Sequence, residues 1–108
     1  TMSWIELKVN GMLVRIDSVN PLLIQRWREY VTKPDDWEEC KIYTECGKSH
    51  INIGGKRADM ARIVYKAHNP KWKDHYSRHN IIIFKDGDKG DYSIENLQIK
   101  DTGGVRRY

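Results

Sequence analysis

The chain has 108 residues, of which 39% are hydrophobic and 31% charged, and carries a formal net charge of +4. That length and balance suit one compact domain and are too apolar for a disordered tail. No apolar run approaches the roughly 20 residues of a membrane span, and the alternating start TMSWIELKVN lacks the continuous apolar stretch of a secretion signal.

The chain is therefore expected in the cytoplasm, with no membrane partner. Its mild positive charge suits a polyanion, because phosphate contacts release condensed counterions. The first unit, Ile5 to Asp17, alternates apolar and polar residues around Asn10-Gly11. That pair tolerates positive φ at both turn positions, so a β-hairpin is predicted. A helix is predicted next. Ser18 or Asn20 can cap it, Pro21 suits its first turn, and Leu22, Leu23, Arg26, Trp27 and Tyr30 recur near helical spacing. Lys33-Pro34-Asp35-Asp36 ends it.

A second strand pair is predicted over Cys40 to Thr44 and Ser49 to Ile53. A tight turn at Gly54-Gly55-Lys56 leads to a return over Arg57 to Met60. Ala61 to His68 reads as a helix ended by Asn69-Pro70, and Lys71 to His79 as a basic, aromatic loop. Ile81 to Phe84 is a β-branched strand, Lys85 to Ser93 a long turn, and Leu97 to Lys100 a short return strand. The predicted class is α+β: small antiparallel hairpins with two helices packed on them. Trp4, Trp27 and Trp37 are expected in the core. Cys40 and Cys46 are spaced C-x5-C, which matches no common zinc pattern even with His50 nearby, so free thiols are expected.

The segment FKDGDKGDYSIENL, Phe84 to Leu97, resembles the core of phage-type HNH homing endonucleases, which commonly read like HIDGNKLNNRIENL. Asp86-Gly87 and Ile94-Glu95-Asn96-Leu97 match outright, and Lys89 matches a common Lys. Upstream, MARIVYKAHNP, Met60 to Pro70, resembles the family's VHRLVAEAFIP helix, and Ile53 to Lys56 resembles the turn before it. The N-terminal hairpin resembles the family only loosely. The resemblance implies a single domain with an N-terminal hairpin, helix and hairpin over residues 1–60. Residues 61–108 would be an HNH-like part ending in a degenerate ββα-metal motif.

The family's chemistry needs a general-base His, an Asp before it as metal ligand, and a further ligand on a final helix. Carried across, those positions fall on Phe84, Ile83 and Val105, none of which has a basic or metal-binding atom. Ala61 stands where the family's helix has His. Asn96, the loop-tying Asn, survives, and its role needs no metal. The resemblance thus implies a catalytically degenerate member that needs no cofactor or metal. Two substitute constellations are weighed. His75 and His79 lie near Asp74 in the loop, and a relocated His-Asp pair is the alternative to solvated histidines. Asp86, Asp88 and Asp91 resemble a calcium loop but lack its closing Glu, so they read as loop caps.

On the family fold, Lys48, Lys56, Arg57, Arg62, Lys66, Lys71, Lys73 and Arg78 would face double-stranded DNA, interleaved with Tyr65, Trp72 and Tyr76, with Arg106 and Arg107 as a basic tail. The leading expectation is a non-enzymatic DNA-binding protein of a phage or mobile element, used as a repressor or accessory factor. The alternatives are an active HNH nuclease with relocated ligands and a protein-interaction module that inhibits a host or competitor enzyme. A palindrome-reading homodimer stays open, although no dimer seam is visible.

Overall fold

A computed structural model describes residues 3–75, 77–87 and 90–101 of the chain. The first sheet is a four-stranded antiparallel meander of β1 (Trp4–Val9), β2 (Met12–Asp17), β3 (Ile24–Arg28) and β4 (Asp36–Glu39), in that order. The hairpin predicted at Ile5 to Asp17 forms its first pair, with Val9 opposite Met12. Asn10 and Gly11 both take positive φ, at 51° and 81°, as a two-residue turn between twisted strands requires.

The helix predicted after it does not form. Asp17 instead holds the chain in a turn, its carboxylate accepting the Val19 and Asn20 N–H groups at 2.8 Å each. The chain then pairs with β2 as β3, setting Ile24 opposite Ile16. The segment also reads at a period of two: Ile24 and Arg26 lie opposite the inward Ile16 and Val14, while Gln25 and Trp27 face outward. β2 has a second hydrogen-bonding edge, and an isolated two-stranded hairpin is marginal in water. Pairing that edge decides between the two periods. β4 then lays DWEE against IQRWR, with Arg26 opposite Glu38, Arg28 opposite Asp36 and Trp27 opposite Trp37. The Arg28–Glu38 pair closes at 3.1 Å.

The second sheet is β5 (Tyr43–Glu45), β6 (Lys48–Ile53) and β7 (Lys56–Asp59), again antiparallel and in order. Strand β5 starts later than predicted, leaving Cys40 to Ile42 outside it. β7 runs directly into α1 (Met60–His68), and Asn69 stops the helix, its backbone N–H bonding the carbonyls of Lys66 and Tyr65. The last sheet pairs β8 (Ile81–Phe84) with β9 (Leu97–Lys100), entered through a 3-10 turn at Ile94–Asn96.

The α+β prediction of two helices and a terminal ββα-metal motif is thus overturned. The described residues form small antiparallel sheets with a single α-helix, and no helix follows β9 among them. The β8–β9 pair is closed by apolar packing: Leu97 is 3% exposed, and Ile82 and Phe84 pack on the core. Val105, Arg106 and Arg107 lie outside the described residues, as do Tyr76, Asp88 and Lys89.

One core joins all three sheets to the helix. Val14, Ile16 and Ile24 from the first sheet, Ile51 and Ile53 from the second, and Met60, Ile63 and Val64 from α1 are buried together. Burying each such aliphatic side chain contributes about 1.5–3 kcal/mol. The two hairpin turns dock on each other, with the Asn10 Nδ2 donating to the Ile53 carbonyl at 3.1 Å. Trp4, Trp27 and Trp37 are not in this core. They stand on the outward face of the first sheet, and the Arg15 guanidinium sits 4.3 Å from the ring centroids of both Trp4 and Trp37. Strand alternation forces this, because β1 and β2 already point Ile5, Leu7, Val14 and Ile16 inward. No helix among the described residues is long and apolar enough to cross a membrane.

Candidate nucleic-acid interface

The second sheet buries one face on α1 and turns the other outward. Alternation along β6 sends Ser49, Ile51 and Ile53 inward and leaves Lys48 and Asn52 exposed. Asn52 pairs in register with Arg57, and Tyr43 with His50. The outward face therefore presents Lys48, Asn52, Arg57 and the 40% exposed Tyr43. His50 shares this face but is buried, its ring stacked on Tyr43 at 5.6 Å. Lys41 lies with its ammonium 5.3 Å from the centroid of the Tyr43 ring. Arg57 holds Glu45 at 3.1 Å, with both side chains mostly exposed, a pair of little strength that a phosphate can displace. Lys56 is exposed at the hairpin tip but pairs with Ile53, so its register belongs to the opposite face.

The two cations of α1 are placed differently. Arg62 is only 14% exposed and bonds Asp74 at 2.6 Å. It also donates to the carbonyls of Asn80 and His75 at 3.0 and 3.2 Å. Lys66 donates to the carbonyls of Pro70, at 2.8 Å, and Trp72. Both side chains thus hold the loop between α1 and β8 against the helix. Asn80 completes the scaffold from inside the loop: its Nδ2 donates to the carbonyls of Lys73 and His75, and its Oδ1 accepts the Trp72 indole N–H. Among the described residues of this braced loop, Lys71, Lys73, His75 and Arg78 are exposed. A groove lined by Lys8, Asn10, Arg57, Arg62, Lys66 and Asp74 runs between the end of β1, β7 and α1.

Of the positions that the family resemblance marks as vestigial, Ile83, Phe84 and Asn96 lie on the last hairpin, and Val105 lies outside the described residues. Phe84 packs edge-to-face on Tyr92 at 5.3 Å, and Ile83, the next residue along β8, points to the other side of the strand. Asn96 is buried and ties the loop, accepting the Asp86 N–H at 3.1 Å and donating to the Asp91 carbonyl at 3.0 Å. Asp91 caps the turn, accepting from the Ser93 hydroxyl and backbone N–H, and these bonds pull its carboxyl below the usual range. The His–Asp pairing considered for the loop takes another form. Asp74 bonds Arg62, whereas His79 Nδ1 lies 2.7 Å from Asp101.

A cavity of about 260 Å3 lies between the end of the second sheet, the start of α1 and the last hairpin. Lys48, Asp59, Arg62, Ile82, Phe84 and Tyr92 are among its walls. Burial pushes the Asp59 carboxyl above its ordinary value, partly offset by the Arg62 backbone N–H and the charges of Arg62 and Lys48. Burial likewise raises the Cys40 thiol, and both cysteines are free. Among the described residues, no three His, Cys, Asp or Glu side chains gather where a metal would bind.

Lys41, Tyr43, Asn52 and Asp59 were not singled out from the sequence. The period-two alternation of KSHINI, which puts Asn52 in step with Lys48, is the signal that points to that face. No family model, curated protein or solved structure matches the chain.

Proposed function

We propose that this chain is a cytoplasmic protein that binds double-stranded DNA without cutting it, from a phage or mobile-element lineage related to the HNH homing endonucleases. The observation that carries the reading is the outward face of the second sheet. There Lys48, Asn52 and Arg57 stand exposed beside Tyr43 on a three-stranded antiparallel unit. β-strands enter the major groove, where Asn and Arg side chains make paired hydrogen bonds to base edges. Lys71 and Lys73, on the loop that Arg62 and Lys66 brace, supply phosphate contacts that position the protein without reading sequence. Occupying a site as a repressor or accessory factor needs nothing more.

A gel-shift titration in chelator tests this. Binding is expected to persist without divalent metal and to weaken with salt, log K falling by about 0.9 per phosphate contacted for each unit of log salt. No binding to duplex DNA at low salt sinks the proposal.

One observation favours a second reading, hydrolysis by a relocated base. The His79 Nδ1 contact to Asp101 is the arrangement that orients an imidazole as a general base. Incubation with plasmid and magnesium or manganese separates the two readings: nicking that His79→Ala abolishes would replace binding with catalysis.

A further inference from the structure

The cavity between β6, the start of α1 and β8 has Lys48, an exposed residue of the outward sheet face, in its lining. We propose that it receives one unpaired nucleobase bearing an exocyclic amino group, displaced from the duplex that the sheet face holds; this rests on the DNA-binding reading above.

The lining selects the ligand class. Ile81, Ile82, Phe84 and Tyr92 form the apolar walls, and the two rings meet edge-to-face at 5.3 Å and 81°. The Tyr92 ring is fixed in place because its hydroxyl accepts the Ser49 N–H at 3.1 Å. The polar side is Asp59, flanked by Lys48 and Arg62. An anion entering here meets the Asp59 carboxylate, and a cation meets Lys48 and Arg62. A neutral, flat group with N–H donors on one edge avoids both conflicts. A carboxylate offers about four acceptor positions, and the Arg62 backbone N–H can occupy only one of them. Volume limits the size of the guest. At about 260 Å3 the cavity falls below the roughly 300–1,000 Å3 typical of sites for drug-sized ligands. A single base fits that scale, and a peptide segment does not. Proteins that take up an extruded base read it with these two elements: ring packing on its faces and hydrogen bonds to its Watson–Crick edge.

Asp59 adds a choice among bases. Cytosine presents an amino group that donates to a carboxylate. Thymine presents one N–H between two carbonyl oxygens, which the carboxylate repels.

Fluorescence anisotropy with three short duplexes tests the idea: fully paired, carrying one bulged cytosine, and carrying one bulged thymine. The cytosine bulge is expected to bind about tenfold tighter than the paired duplex, the equivalent of one good base contact. The thymine bulge should bind like the paired duplex. Ala61→Leu adds bulk to a side chain lining the cavity and should bring the cytosine bulge down to the paired value. Asp59→Asn keeps the shape, supplies a donor, and should narrow the gap between cytosine and thymine; it serves as the probe if Ala61→Leu does not fold. Equal affinity for all three duplexes overturns the cavity assignment and leaves duplex binding standing. Equal tightening by both bulges also overturns it, since that is a preference for bent DNA. Failure to bind any of the three overturns the cavity assignment and the function together.

Discussion

Asn96 is 7% exposed and closes the loop between β8 and β9 from inside, linking Asp86 on one side to Asp91 on the other. Removing its amide breaks both of these hydrogen bonds in a buried site. Asn96→Ala should therefore cost about 2 kcal/mol, measured by urea unfolding with no metal present. Asp59 makes the opposite kind of contribution. Its carboxyl is raised by burial, so the folded protein holds that proton more tightly than the unfolded chain does. A raised group favours folding fully below the unfolded value, and that contribution is lost as pH rises through the folded value. At neutral pH the ionised Asp59 thus lowers stability. Asp59→Asn is expected to melt at a higher temperature than the wild type at neutral pH. The gap should close in acid, below the ordinary carboxylate range. Thermal unfolding at the two pH values checks the sign. Asn96 and its loop-tying role were legible from the IENL motif. Asp59 was not, because nothing in RADMAR says that the carboxyl will be covered by a hairpin some twenty residues later.

At the scale of elements, two hairpin turns depend on each other. Gly54 has φ +61°, and a Cβ there would lie 2.7 Å from the Asn10 carbonyl oxygen. Both the backbone conformation and the approach of the first hairpin exclude a side chain. Gly54→Ala should destabilise the protein by about 2 kcal/mol. Gly55→Ala meets nothing within 4 Å and retains only the strain of its positive φ of 77°, so it should cost less. Chemical denaturation of the pair compares them directly. Both hairpins were readable from Asn10-Gly11 and Gly54-Gly55, since a turn is a local property. The segment from Pro21 to Tyr30 was not. Its short apolar pattern fits both a helix and a strand, and its partner DWEE has acidic residues that are poor strand formers. The usable signal was complementarity, with Arg26 and Arg28 facing Glu38 and Asp36, and that appears only when the register is known.

At the scale of the molecule, one core fastens the three small sheets of the described residues to α1, and this division of surfaces sets what is left exposed. Lys48→Ala and Lys71→Ala should each weaken binding similarly across DNA sequences and reduce the salt slope by about 1. Arg62→Ala should act differently. Because Arg62 braces the loop through Asp74 and two carbonyls, its loss should speed amide hydrogen exchange over residues 71–80 even without DNA. Sequence alone determined the features that depend on near neighbours: the first hairpin, α1, the β8–β9 strands, the Asn96 loop and the basic character of residues 48–78. Only the tertiary structure decided that Pro21–Tyr30 would yield a strand and that the tryptophans would stand outside the core. It alone also decided which cations are exposed and which brace a loop, and that Asp59, Lys48 and Phe84 share a cavity. Turns and capping motifs act over a few residues, where sequence spacing equals spatial spacing. Strand pairing and burial join residues far apart in the chain, so competition for a free sheet edge and for the one core settles them.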